Sequence, residues 1–200
     1  IWNDFGTLNT YIARAQSFLQ PGKPDNDVLL YYSISDEYAV RGETMLTHFH
    51  GVTEGSSVHK SAEYLFQKGF AFDYVSSRQI GQLETKSGKI LTGGTSYQTI
   101  LLPPVKLMPV ATFEKLIFLA DSGATVLMEG LPTDVPGLGD LAERQLKLKN
   151  LKNALQFVPA SGTTKIAKVG KGRILVGPLS EILVHAKIRR ETMFDHGIQC

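Results

Sequence analysis

Apolar residues occur along this chain in short unbroken runs separated by longer amphipathic stretches. The runs are Asp27–Ile34 (DVLLYYSI), Phe70–Val75, Thr99–Leu102, Ala124–Met128 and Gly172–Gly177 (GRILVG). A strand with one wet face alternates apolar and polar positions. A continuous run marks a strand covered on both faces, as in a parallel sheet between helices. The stretch from Tyr97 to Gly130 shows the unit most clearly. Thr99–Leu102 stops at Pro103-Pro104, a helix opens at Pro109 and closes at Ser122-Gly123, and Ala124–Met128 begins the next strand. Strand, helix and strand at that spacing form a βαβ crossover.

Five such strands predict an α/β fold. We expect a three-layer αβα, flavodoxin-like domain with a mainly parallel five-stranded sheet, order 2-1-3-4-5, joined by right-handed crossovers. Asn3–Gln20 is a helix with Tyr11, Ile12, Ala15, Phe18 and Leu19 on one stripe, broken by Pro21, Gly22 and Pro24. Ser57–Lys68 is a helix stopped at Gly69, and Ser87-Gly88 turns a small hairpin. Asp140 followed by Glu143 suggests a capping arrangement for the helix that carries Leu141, Leu148, Leu151 and Leu155, with Arg144, Lys147 and Lys152 on its outer side. Pro178 opens a last helix that ends near Lys187. The expected division is a connecting helix from a preceding domain over 1–22, the α/β domain over 23–190, and the start of a following module over 191–200.

The 200 residues suit one domain with appendages. Charged residues make up 20% and hydrophobic ones 42%, as in ordinary soluble proteins. A net charge of +2 with scattered basic residues argues against a nucleic-acid partner. No apolar run approaches the roughly 20 residues of a membrane span, and no signal peptide is visible. The opening on Ile-Trp-Asn-Asp-Phe and the stop at Cys200 read as cuts within a longer polypeptide.

The chemistry of familiar α/β enzymes is missing from the strand ends, where ligands of such folds bind. After the first strand comes Ser35-Asp36-Glu37, acidic and without glycine, which opposes a flavin phosphate. Pro103-Pro104 stands where a response regulator needs an aspartate. An amidotransferase needs a cysteine on a strand-to-helix elbow, and the lone cysteine is Cys200. No G-x-S-x-G elbow occurs. The connection Ser35–Ser57 far exceeds the usual length of about 2–6 residues, and it gathers Asp36, Tyr38, His48, His50 and Glu54. These are candidate functional residues of a loop suspected of function or of an inter-domain role. His48 and His50, two apart on an extended segment, point to one face and suit a metal, but Glu54 is only a candidate third ligand. The plainer reading is a polar loop, and no metal ligand is assigned. Glu37, Glu43, Asp73 and Glu129 complete the notable carboxylates; a glycosidase needs two of them facing across a sugar, and no residue is assigned as catalytic.

Several segments in order resemble one family. TLNTYIARAQSFLQPGKPDNDVLLYYSISD is similar to the helix-linker-strand entry of the domain that follows the catalytic barrel in α-L-rhamnosidase-type glycoside hydrolases of family 106. SAEYLFQKGFAFDYVSSRQI resembles that family's second-strand region, with Ser77-Arg78 standing where the family phrase has Asp-Arg. SYQTILLPPVKLMPVATFEKLIFLADSGATV, followed by LPTDVPGL, resembles its strand-helix-strand segment. The resemblance implies a large, multidomain, bacterial, exported enzyme, periplasmic or at the cell surface, that removes rhamnose from oligo- or polysaccharides by inverting hydrolysis. The implied glutamate pair and calcium ion belong to the barrel that would precede Ile1, so this domain is expected to hold no cofactor. Its implied role is non-catalytic: to support the barrel, to shape the substrate cleft, or to mediate self-association as a homo-oligomer. Two rival readings remain: a free-standing amidotransferase-like or flavodoxin-like protein without the cysteine nucleophile, and a carbohydrate-binding module gripping polymer through Trp2, Tyr38 or Phe49.

Overall fold

The computed structural model describes residues 4–39 and 55–197. In chain order the elements are α1 (Phe5–Leu19), β1 (Val28–Tyr31), α2 (Ile34–Ala39), α3 (Ser57–Gln67), β2 (Phe72–Val75), α4 (Ser77–Gln82), β3 (Glu84–Lys86), β4 (Lys89–Leu91), β5 (Ser96–Tyr97), β6 (Thr99–Leu102), α5 (Val110–Asp121), β7 (Thr125–Met128), α6 (Leu141–Ala154), β8 (Phe157–Pro159), β9 (Lys165–Val169), β10 (Gly172–Val176) and α7 (Leu179–Ala186), followed by a 3-10 turn over Thr192–His196.

The main sheet has seven strands in the order β2-β1-β6-β7-β10-β9-β8. Contacts from β2 through β10 are parallel, while β9 and β8 are antiparallel. The expected sheet of five strands is therefore corrected to seven. The five apolar runs form the parallel part. The two extra strands are short and partly polar, and they pair at one edge, where a wet face leaves no continuous apolar run to read. A separate three-stranded sheet, β3-β4-β5, lies apart. Its hairpin turns on Ser87 and Gly88 at φ 52° and 78°, the backbone that a two-residue turn of this hand requires.

Side chains along each parallel strand alternate between two cores. Leu29, Tyr31, Ile100, Leu102, Val126, Met128 and Ile174 face one side, where α4, α5 and α6 supply Ile80, Phe113, Leu116 and Leu148. Val28, Leu30, Leu101, Leu127 and Leu175 face the other, closed by Val58, Ala62 and Leu65 of α3 and Ile182 and Leu183 of α7. Both faces of the central strands are dry, so the unbroken apolar runs follow directly from the layering.

Helix starts show which local signals act. Ser56 accepts the His59 N–H at the head of α3. Ser76 and Gln79 form a capping box at α4, with Gln79 Oε1 accepting from the Ser76 N–H at 2.9 Å. The cap expected at Asp140 is absent. Asp140 sits in the left-handed region (φ 47°, ψ 37°) and its side chain caps nothing, because a side-chain cap requires an extended N-cap backbone. Arg144 does related work from inside α6. Its guanidinium donates to the Gly139 carbonyl at 2.7 Å and to Gly137 at 2.9 Å, fastening the preceding Pro/Gly loop. Lys147 pairs with Glu114 of α5 at 2.9 Å, and Lys152 donates to Pro132 O, so these basic residues brace the fold.

Entry and exit of the domain are joined. Arg189 bridges Asp25 at 2.7 Å and Asp27 at 2.8 Å. The Glu191 N–H donates to the Gly69 carbonyl. By contrast α1 buries none of its residues. Tyr11, Ile12, Phe18 and Leu19 of its apolar stripe are all exposed.

Candidate functional site

Open α/β sheets present ligands at the carboxyl ends of their parallel strands. Here that edge is built from the residues just after β1, β2, β6 and β7. Beyond β1 the chain turns into α2, so the connection expected to begin as loop at Ser35 begins as helix. Asp36 lies in its first turn. Its carboxylate accepts the backbone N–H of Lys106 at 3.0 Å and of Leu107 at 2.7 Å. Ser33 donates to the Leu107 carbonyl. Together they tie the segment after β1 to the segment after β6. Glu37 has its carboxyl raised by burial and, secondarily, by the Asp36 charge. Tyr38 is exposed. His48, His50 and Glu54 lie outside the described residues.

The segment after β2 contributes Ser77, whose hydroxyl meets the phenol of Tyr31 at 2.8 Å in the floor of the edge. Burial raises the Tyr31 pKa. The segment after β7 contributes Glu129, a half-buried carboxyl in hydrogen-bond contact with Ser61 of α3. Ser61 is buried, and its hydroxyl also lies 3.1 Å from the Ser57 carbonyl. One hydroxyl carries one proton. That proton is shared between Glu129 Oε1, to which Ser61 donates, and the Ser57 carbonyl. Burial pushes the Glu129 carboxyl up, and the Ser61 hydrogen bond offsets part of that shift. The sequence marks Glu129 only as a carboxylate at a strand end; nothing local reveals that a serine on a distant helix covers it. His59 lines a cleft of 360 Å³ with Tyr32, Val58 and Tyr74.

Asp73 and Glu181 are also committed to the fold. Asp73 accepts from Asn26 at 2.7 Å and from Tyr97 at 2.8 Å. Burial, followed by the neighbouring Asp73, pushes the Tyr97 phenol up to about 12. Glu181 accepts from Thr164 at 2.8 Å and from the Thr163 N–H, and these bonds hold it below the usual carboxylate range. Among the described residues no three His, Cys, Asp or Glu side chains converge as a metal cage would require, and no helix is long and apolar enough to cross a membrane. At this edge Asp36 is held by two backbone amides and Glu129 by Ser61.

This arrangement defines an α/β domain that lacks a nucleophile elbow. The family model for alpha-L-rhamnosidase, glycoside hydrolase family 106, matches residues 2–199, and the chain belongs to this family. A solved rhamnosidase from Novosphingobium sp. PP1Y is 26% identical and overlays with a TM-score of 0.62, covering 90% of this chain and 16% of that one. A curated Formosa agariphila protein, provisionally named a β-glucuronidase, is 28% identical over 163 residues, which are 76% of this chain and 12% of that protein. The β-galactosidase Gan42B overlays 84% of this chain on 31% of its own, at 10% identity and a TM-score of 0.49. The chain thus spans 12% of the curated relative and 16% of the solved rhamnosidase.

Proposed function

We propose that this chain is a non-catalytic, flavodoxin-like domain of a larger glycan-degrading hydrolase, an α-L-rhamnosidase in class, and that it supports the catalytic barrel. The observation that carries this reading is the state of the carboxylates at the strand edge. Asp36 is spent on two backbone amides and Glu129 on Ser61. An inverting glycosidase needs a general acid and a general base free to face the sugar from opposite sides. A carboxylate held by its own fold in this way serves as a clamp.

Residues 1–22 act as the connecting helix, 23–190 as the domain and 191–200 as the lead into a following module. The exposed apolar stripe of α1 suits the flank of the barrel. The candidate substrate-cleft residues are Asp36, Tyr38, His48, His50 and Glu54. The parent works outside the cytoplasm on oligo- or polysaccharide. Any calcium serves the barrel, and no residue of this chain is assigned to it.

The test is hydrolysis of an aryl α-L-rhamnoside and an aryl β-D-glucuronide by the purified chain. Release of aryl alcohol at the buffer rate is expected. Turnover above background that disappears on substituting a carboxylate of this chain overturns the proposal.

A further inference from the structure

We infer that the cleft between α4, the edge strand β2 and the small sheet is a binding site for a neutral sugar ring. Its volume is 330 Å³, at the small-molecule end of ligand pockets. The floor is apolar: Leu29, Val75 and Leu83 are each almost fully buried. The rim includes Tyr74, 55% exposed, whose ring packs edge-to-face on Phe72.

The polar groups around that floor are those a hydroxylated, uncharged ligand needs. Gln79 spends its Oε1 on the Ser76 cap and keeps its amide donors. The Gln82 side chain is exposed and shows no hydrogen bond among the described residues, so it offers both donors and an acceptor. Tyr97 spends its proton on Asp73, itself held by Asn26, and presents an acceptor oxygen. No charged side chain lines the cleft. Hydroxyls both donate and accept, so this mixture fits them, whereas a carboxylated or phosphorylated ligand would find no counter-charge. Gly93 closes the far side, and a Cβ there would meet nothing within 4 Å. The loop therefore leaves open space where a side chain could stand.

The assignment of a glycan as the source of the ring rests on the proposed function; the neutral, hydroxylated chemistry rests on the cleft. The ring is either a free sugar or a residue within a polymer.

The experiment is NMR titration of the isotope-labelled chain with methyl α-L-rhamnopyranoside, a rhamnose-containing oligosaccharide and methyl β-D-glucuronide. The neutral glycoside should shift the Gln82 side-chain amide and the Gly93 backbone amide, with the glucuronide roughly tenfold weaker or silent. Tighter binding of the oligosaccharide assigns the cleft to polymer, and equal binding assigns it to free sugar. Gln82→Leu should weaken binding about fivefold, the equivalent of one hydrogen bond, with an unchanged thermal midpoint. Gly93→Trp, placed in open space, should block the cleft while the fold persists. The inference is overturned if neutral glycosides leave these amides unmoved, if the glucuronide binds equally well, or if the folded variants bind like the parent chain. Aryl glycoside turnover would sink the proposed function without moving these shifts, and a silent cleft would leave that function standing.

Discussion

Two phenylalanines on α5 give the sharpest test of the layering. Phe113 is fully buried between the sheet and the outer helices, whereas Phe118, five residues on, is 57% exposed with Lys115 Nζ 5.1 Å from its ring centroid. Truncating a buried phenylalanine to alanine costs about 3–5 kcal/mol, combining lost burial with the cavity left behind. Domains of this size have a stability of about 5–15 kcal/mol, so Phe113→Ala removes a large share. At about 2–4 °C per kcal/mol for 150–250 residues, the thermal midpoint should fall by roughly 6–20 °C. Phe118→Ala loses an exposed cation–π contact of about 0.5–1 kcal/mol at most, a shift of a few degrees. Circular dichroism melts of the two variants and the parent chain, supported by urea midpoints with unchanged slope, read the difference. Equal midpoints for the two variants, or a larger fall for Phe118→Ala, would refute the placement of α5 and with it the three layers.

Three further outcomes follow from the candidate site. The Glu129 carboxyl is raised in the folded state by burial. Its contribution is thus fully present below the unfolded pKa and is lost as pH rises through the folded value; Glu129→Gln should flatten the fall in melting temperature toward neutral pH, and an unchanged pH profile would refute the raised pKa. Asp36→Ala leaves the N–H groups of Lys106 and Leu107 without their acceptor and should cost about 1–3 kcal/mol, read by urea unfolding, with cost near zero contradicting the clamp. Arg144→Lys cannot reproduce the fork over Gly137 and Gly139, so limited proteolysis should cut the 131–140 loop faster than in the parent chain; equal cutting rates would show that the fork is not what fastens it.

The fold was legible in the sequence wherever burial was two-sided. Thr99–Leu102 is a strand over the very residues expected, and the helix expected after Pro109 spans Val110–Asp121. Gly69 and Ser87-Gly88 punctuate the chain as read, each with positive φ. Strands β8 and β9 escaped because an edge pair buries too little apolar surface to leave a run. The cap at Asp140 failed because its motif is common and its backbone is left-handed. The capping box at Ser76 and Gln79 follows the S-x-x-Q signal and could have been read directly. The candidate site was less legible. Asp36 was visible as an acidic residue after the first strand, but its partners lie 70 and 71 residues away. The Ser61–Glu129 pair spans 68 residues, and no local spacing encodes it.

The central claim is that the carboxylates of this chain clamp the fold and do not cleave the glycosidic bond. The most direct measurement is kcat on an aryl α-L-rhamnoside for the longest natural polypeptide carrying Glu129→Gln or Asp36→Asn, with folding checked by melting. We predict kcat within about twofold of the parent for both, since each group is held by hydrogen bonds of its own fold. A loss of about 10²–10⁴ in a folded variant, the contribution of a general acid or base, would contradict the account.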